Sequence, residues 1–215
     1  MKMFYRLFFL FFVLMATKSF AADQATTDLI QLLNQVKSIK ANFVQTLFDK
    51  RGRAGQKTFG HMALQRPGKF RWDITKPQPQ IIIANENKLW IYDPDLEQLT
   101  IRPLLQATGE TPALLLSHDD ASLEKHYIVT SIQKNQPGWR WFSLASREKD
   151  SLFKTMEMGF LNNELHEMRL QDNLGHTTAV KFQDIQTNIN LPASLFSLKP
   201  PANVDIIDET RKRKR

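Results

Sequence analysis

From Asn42 onward the chain is a succession of short segments with β-type alternation, each ended by residues that turn the backbone. This confines it to a large, mostly antiparallel sheet. Strands are expected near Asn42–Phe48, Thr58–Gln65, Lys69–Ile74, Gln80–Ala84, Lys88–Tyr92 and Gln98–Ile101, and again near Tyr127–Gln133, Arg140–Ala145, Phe153–Phe160, Glu164–Leu170 and Thr177–Ile185. Between them lie Arg51-Gly52-Arg53-Ala54-Gly55, Pro67-Gly68, Pro77-Gln78-Pro79, Asn85-Glu86-Asn87, Asp93-Pro94-Asp95, Asn162-Asn163 and Asp172-Asn173-Leu174-Gly175, which supply turn dihedrals or block a ladder. Short connections between neighbours mean hairpins in a meander. Leu195–Leu198, ahead of Pro200-Pro201, reads as an edge segment, because proline donates nothing to a ladder.

Helical patterns are few. Leu29, Leu32, Leu33, Val36 and Ile39 recur at helical spacing, predicting an amphipathic helix from about Asp28 to Lys40, with Asp28 and Gln31 as a capping pair. The interruption from Leu104 to Lys125 contains Thr111-Pro112, a cap followed by proline in the first helical position, and then Leu114, Leu115 and Leu116. A further helix can begin at Ser122. So many strands with so few helices predict a sheet bent towards a barrel and covered by the N-terminal and Thr111 helices. Such a sheet has an inside, for which the candidates are Phe43, Leu64, Phe70, Trp72, Ile82, Leu89 or Trp90, Ile91, Met156, Met158, Met168 and Leu170. Methionine fills cores and also makes adaptable walls for varied ligands.

Residues 1–21 read as a cleaved secretory signal. Lys2 and Arg6 precede an apolar run from Leu7 to Ala16, and Ser19-Phe20-Ala21 offers small residues where a signal peptidase needs them. The apolar run is shorter than the roughly 20 residues that span a bilayer. Residues 22–210 then form one domain, and Arg211–Arg215 a solvated basic tail, with anionic headgroups as a minority partner for it. The +7 charge is concentrated in these two ends, so the body is close to neutral and shows no basic face for nucleic acid. Cysteine is absent, which excludes disulfides, thiolate metal sites and a lipidation anchor.

No phosphate loop, nucleophile elbow or paired metal histidines occur, and His61, His118, His126, His166 and His176 are scattered. Neither a cofactor nor catalysis is expected. Arg66 is the basic residue that stands apart. It ends a strand just before the Pro67-Gly68 turn, so its guanidinium either projects into solvent or reaches the unpaired last carbonyls of a covering helix.

Several motifs together resemble one family. These are Arg66-Pro67-x-x-Phe70-x-Trp72, Leu89-Trp90-Ile91-Tyr92-Asp93-Pro94 with Glu97-Gln98, Ala107-Thr108-Gly109-x-Thr111-Pro112, and Phe196-x-Leu198-x-Pro200-Pro201 with Val204. They are similar to the LolA family of outer-membrane lipoprotein carriers of Gram-negative bacteria. The resemblance implies an incomplete, strongly curved antiparallel β-barrel, a half-barrel with an α-helical lid over a hydrophobic cavity. It implies a monomeric periplasmic shuttle that takes acylated lipoproteins from an inner-membrane ABC transporter of LolCDE type to an outer-membrane receptor of LolB type, without stable membrane insertion. By the same matching, Arg66 locks the lid through the carbonyls of Leu116 and Ser117, Leu33 takes part in opening, and Phe70 helps make transfer one-way. Phe43, Leu64, Trp72, Ile82, Ile91, Met156, Met158 and Met168 would line the cavity. Glu110 and the Arg211–Arg215 tail depart from the family pattern. A periplasmic lipid or lipoprotein sensor of the same architecture is the alternative.

Overall fold

A computed structural model describes residues 17–85, 87–104, 116, 120–148 and 151–210. Helix α1 (Thr17–Asn34) comes first, followed by β1 (Ser38–Phe48), β2 (Ala54–Gln65), β3 (Lys69–Lys76), β4 (Gln80–Asn85), β5 (Lys88–Asp93) and β6 (Gln98–Pro103). Helix α2 (Asp120–His126) leads directly into β7 (Tyr127–Ile132), β8 (Trp139–Ser146), β9 (Phe153–Leu161), β10 (Glu164–Asp172) and β11 (Thr177–Thr187). A 3-10 turn (Ala193–Phe196) and β12 (Asp205–Asp208) complete the chain.

All twelve strands form one curved, open sheet in the order β12-β6-β5-β4-β3-β2-β1-β11-β10-β9-β8-β7. Two meanders therefore join through the β1–β11 ladder, and the outermost strands β12 and β7 do not pair with each other to close a barrel. Register shifts at Lys40/Asn42, Phe59/Gly60 and Leu165/Glu167 add the local twist by which a sheet this wide bends. Every ladder is antiparallel except β12 on β6, which is parallel because a long return segment brings the chain back to the far edge.

Alternation sorts the two faces. Ala41 and Phe43, Met62 and Leu64, Phe70 and Trp72, Ile82 and Ala84, and Leu89 turn inward in cross-strand register. On the other wing they meet Phe142, Leu144, Met156, Met158, Phe160, Met168 and Leu170, and Ala25, Leu29, Leu32 and Leu33 of α1 roof this face. Leu89 rather than Trp90 is therefore the inward member of its pair. Gly60 makes this packing possible: a Cβ there would strike the Asp73 carbonyl and come within 2.5 Å of the Phe43 ring. Phe43 lies over the bare backbone and stacks on Trp72, with ring centroids 3.7 Å apart. The convex face carries a smaller cluster, where Leu191 and Phe196 cover Ala63.

Three expectations need correction. The N-terminal helix ends at Asn34, not Lys40, and Val36 and Ile39 continue the same core from the junction and from β1. A helical stripe thus ran across a helix-to-strand boundary because both elements face one core. Asp28 is not a cap but lies inside α1, accepting hydrogen bonds from Gln24 at 2.7 Å and Arg140 at 3.2 Å. Finally, Leu195–Leu198 is not an edge strand: proline on both flanks favours the 3-10 turn that seats Phe196, and the edge belongs to β12. The helix expected at Ser122 is α2, whereas the Thr111 cap, Glu110, Ser117, residues 1–16 and the Arg211–Arg215 tail lie outside the described residues.

Candidate site: an apolar crevice at the edge of the helical cover

The chain leaves α1 through a tightly held corner. Asn188, in the left-handed region at φ 57°, accepts the Lys37 amide on its side-chain oxygen at 2.8 Å and donates its amide to the Gln35 carbonyl at 2.9 Å. Asn188 N–H also donates to the Ser38 carbonyl at 2.7 Å, and Arg66 N–H to the Lys37 carbonyl at 2.9 Å. The β2–β3 turn is thereby fixed against the foot of the helix, which brings the Arg66 side chain to the seam between cover and sheet.

That seam holds a crevice of about 30 Å³. Leu32, Leu33 and Val36 line it from the helix side, Ile39, Leu64 and Thr187 from the sheet, Phe160 and Leu165 from the β9–β10 hairpin, with Leu116 and Arg66 completing it. Arg66 is half-buried at this seam. The crevice has room for little more than one water molecule. Among the described residues its walls are apolar apart from Arg66 and Thr187, which suits binding by exclusion of water. Among the described residues no group of three acids or histidines is arranged to hold a metal ion.

Sequence reasoning named thirteen residues for this region, and their positions fall into two sets. Arg66, Leu33, Leu116 and Leu64 meet at the crevice. Phe43, Phe70, Trp72, Ile82, Met156, Met158 and Met168 are fully buried deeper on the concave face, with Ile91 half-buried against them. In this closed arrangement those side chains fill one another's space. Phe70 is stacked beside Trp72 at 6.0 Å, and Trp72 meets the edge of Phe182 at 6.5 Å. Ser117 lies outside the described residues.

Leu32, Val36 and Ile39 were read only as part of the helix's apolar stripe, and Phe160, Leu165 and Thr187 were missed. Phe160 was legible, since it shares period-2 parity with Met156 and Met158 on β9. Leu165 was hidden by the irregularity between Leu165 and Glu167, which breaks parity with Met168.

An open, strongly bent sheet with a greasy concave face, a helical roof and an arginine at the seam defines a class: half-barrel proteins built to take up apolar groups. The family model described as outer membrane lipoprotein carrier protein LolA matches residues 34–199, and the chain belongs to that family. A protein named outer-membrane lipoprotein carrier protein from Methylococcus capsulatus is 39% identical over 193 residues, covering 88% of this chain and 92% of its own. A protein of the same name from Dechloromonas aromatica is 37% identical over 185 residues, covering 86% and 88%. Among solved structures, an uncharacterized conserved protein from Thermus thermophilus superposes with TM-score 0.57 at 14% identity, covering 87% of this chain and 99% of that one. A DUF1329 family protein from Desulfovibrio piger does so with TM-score 0.51 at 10% identity, covering 82% and 97%. At such identities the superpositions establish the fold.

Proposed function

We propose that the protein is a periplasmic shuttle that shields the acyl chains of lipoproteins released from the inner membrane and delivers them to an outer-membrane receptor. The cargo class follows from family membership and from relatives that carry the lipoprotein carrier name. The observation that carries the reading at the site is the convergence of Leu33, Leu116 and Arg66 on one apolar crevice where the helical cover meets the sheet. Acyl chains enter there by prising the cover from the concave face, and the packed aromatic and methionine side chains become the walls of the opened cavity. Export of the mature chain from about Ala22, a donor of LolCDE type and a receptor of LolB type belong to the same reading. Neither a cofactor nor a covalent step enters it.

Transfer is governed by a difference of large terms. Each buried methylene contributes about 0.8 kcal/mol, so a multiply acylated cargo needs a shield to cross water. The empty carrier already buries its own walls against one another, so opening sacrifices contacts that the acyl chains then replace. Charge-assisted hydrogen bonds contribute about 1.5–3 kcal/mol each, enough for Arg66 to hold down affinity without preventing loading.

Arg66→Leu therefore leaves the cover easier to open and the cargo harder to release. Mass spectrometry of the purified proteins should find more triacylated lipoprotein on the variant, and less of it should move to a receptor. Equal retention and equal transfer would remove Arg66 from the mechanism.

A further inference from the structure

The opposite end of β1 carries a second feature, unrelated to the crevice. Phe48 pairs with Thr177 across the β1–β11 ladder, which sets the Asp49–Arg53 turn beside the Asp172–His176 turn. Between them lies an open cleft of about 420 Å³ lined by Asp49, Lys50, Arg51, Arg53, Leu174 and His176. With eleven residues at strand rise, β1 separates this cleft from the crevice by about 33 Å.

Both turns are held rigid by their own aspartates. One Asp49 oxygen accepts the amides of Arg51 and Arg53, each at 2.9 Å, and the other takes the Arg53 guanidinium at 2.7 Å. Asp172 accepts the amides of Leu174 and His176, each at 2.8 Å, and its second oxygen meets the His176 ring at 2.9 Å. The acids are thus spent on the turns themselves. Lys50 and Arg51 are exposed and form no ion pair among the described residues. Leu174 stands beside them, 74% exposed at the tip of its turn.

We propose that this end is a docking surface for anionic phospholipid headgroups, with Lys50, Arg51 and Arg53 meeting phosphates and Leu174 entering the interface. Cations attract a lipid surface at long range, and an apolar tip held on a rigid turn gains from partial burial among the headgroups at little cost in ordering. A purely electrostatic contact would have no use for an exposed leucine beside the cations. Docked by this end, the carrier keeps its helical cover about 33 Å away and free to move.

Vesicle flotation of the exported chain, from Ala22 onward, tests this, comparing phosphatidylcholine alone with an equal mixture of phosphatidylcholine and phosphatidylglycerol. The mixed vesicles should bind it and the neutral ones should not, with binding falling as salt rises. Lys50→Gln with Arg51→Gln removes two surface cations, each worth about fivefold, and so should weaken binding about 25-fold. Leu174→Ser should weaken it about tenfold. All three side chains are exposed, so unchanged melting temperatures are the check on folding. The basic residues 211–215 are the competing explanation, removed by changing all five to serine in the same exported chain. Retained preference for mixed vesicles in that background, still sensitive to Lys50 and Arg51, supports the docking surface. Loss of all binding with the tail charges overturns it, as does indifference to vesicle charge, the result expected if this end instead grips an acidic protein segment.

Discussion

At the scale of single residues, the concave face depends on where side chains are missing as much as on where they are large. Gly60 lets the Phe43 ring rest on the β2 backbone, and Gly159 does the same for Trp141 on the convex face, where a Cβ would lie 2.6 Å from the indole. Gly60→Ala must displace both the Phe43 ring and the β3 backbone at Asp73, because the added Cβ would overlap each of them. Overpacking of this kind costs about 1–3 kcal/mol, to be read as a lower denaturation midpoint with an unchanged slope. Arg66 was conspicuous in the sequence because it precedes a turn at the end of an apolar strand. The need for glycine at position 60 was not, since it arises from a ring on the neighbouring strand.

At the scale of elements, two of the polar attachments of α1 among the described residues differ in strength. The Asn188 corner makes two side-chain hydrogen bonds to the backbone around the end of the helix and occupies a left-handed conformation that asparagine tolerates better than alanine. Asp28 and Arg140, by contrast, pair at 3.2 Å while both remain partly exposed. Asn188→Ala should cost about 2 kcal/mol and speed amide exchange at Gln35 to Lys37. Arg140→Ala should change stability by less than about 1 kcal/mol. Such a pattern would make the Asn188 corner the hinge and leave the outer part of α1 the readier to lift. Equal effects in exchange and stability would argue that the roof moves as one rigid piece.

At the scale of the whole molecule, three titrating groups among the described residues tie stability to pH. Asp49 is held below the ordinary carboxylate value first by the Arg53 backbone and side chain. Asp172 is also lowered: partial burial opposes this, but hydrogen bonds from His176 and the Leu174 amide outweigh it. Folded values below the unfolded value of 3.8 mean stability that is present above that pH and lost as pH falls through the lower folded values. Burial, followed by the nearby Glu148 carboxylate, raises Tyr127 above its usual 10.0. The fold therefore favours the neutral phenol, and stability declines as pH climbs past 10.0 towards the folded value. Urea midpoints should fall as pH drops below 3.8, and Asp49→Asn with Asp172→Asn should flatten this acid limb.

Strand identity throughout this molecule is local, because a period of two and a turn residue act over a few positions. All eleven strands expected from Asn42 to Ile185 formed, most of them a residue or two longer than expected. Irregularities such as Leu165/Glu167, the parallel return of β12 and the exchange of an edge strand for a 3-10 turn depend on partners distant in the chain. The crevice is the clearest case. It needs α1, both wings of the sheet and Leu116 at once, so no window of sequence contains it. An apolar face can be read residue by residue, but whether it lies open or closes on itself depends on which surfaces meet.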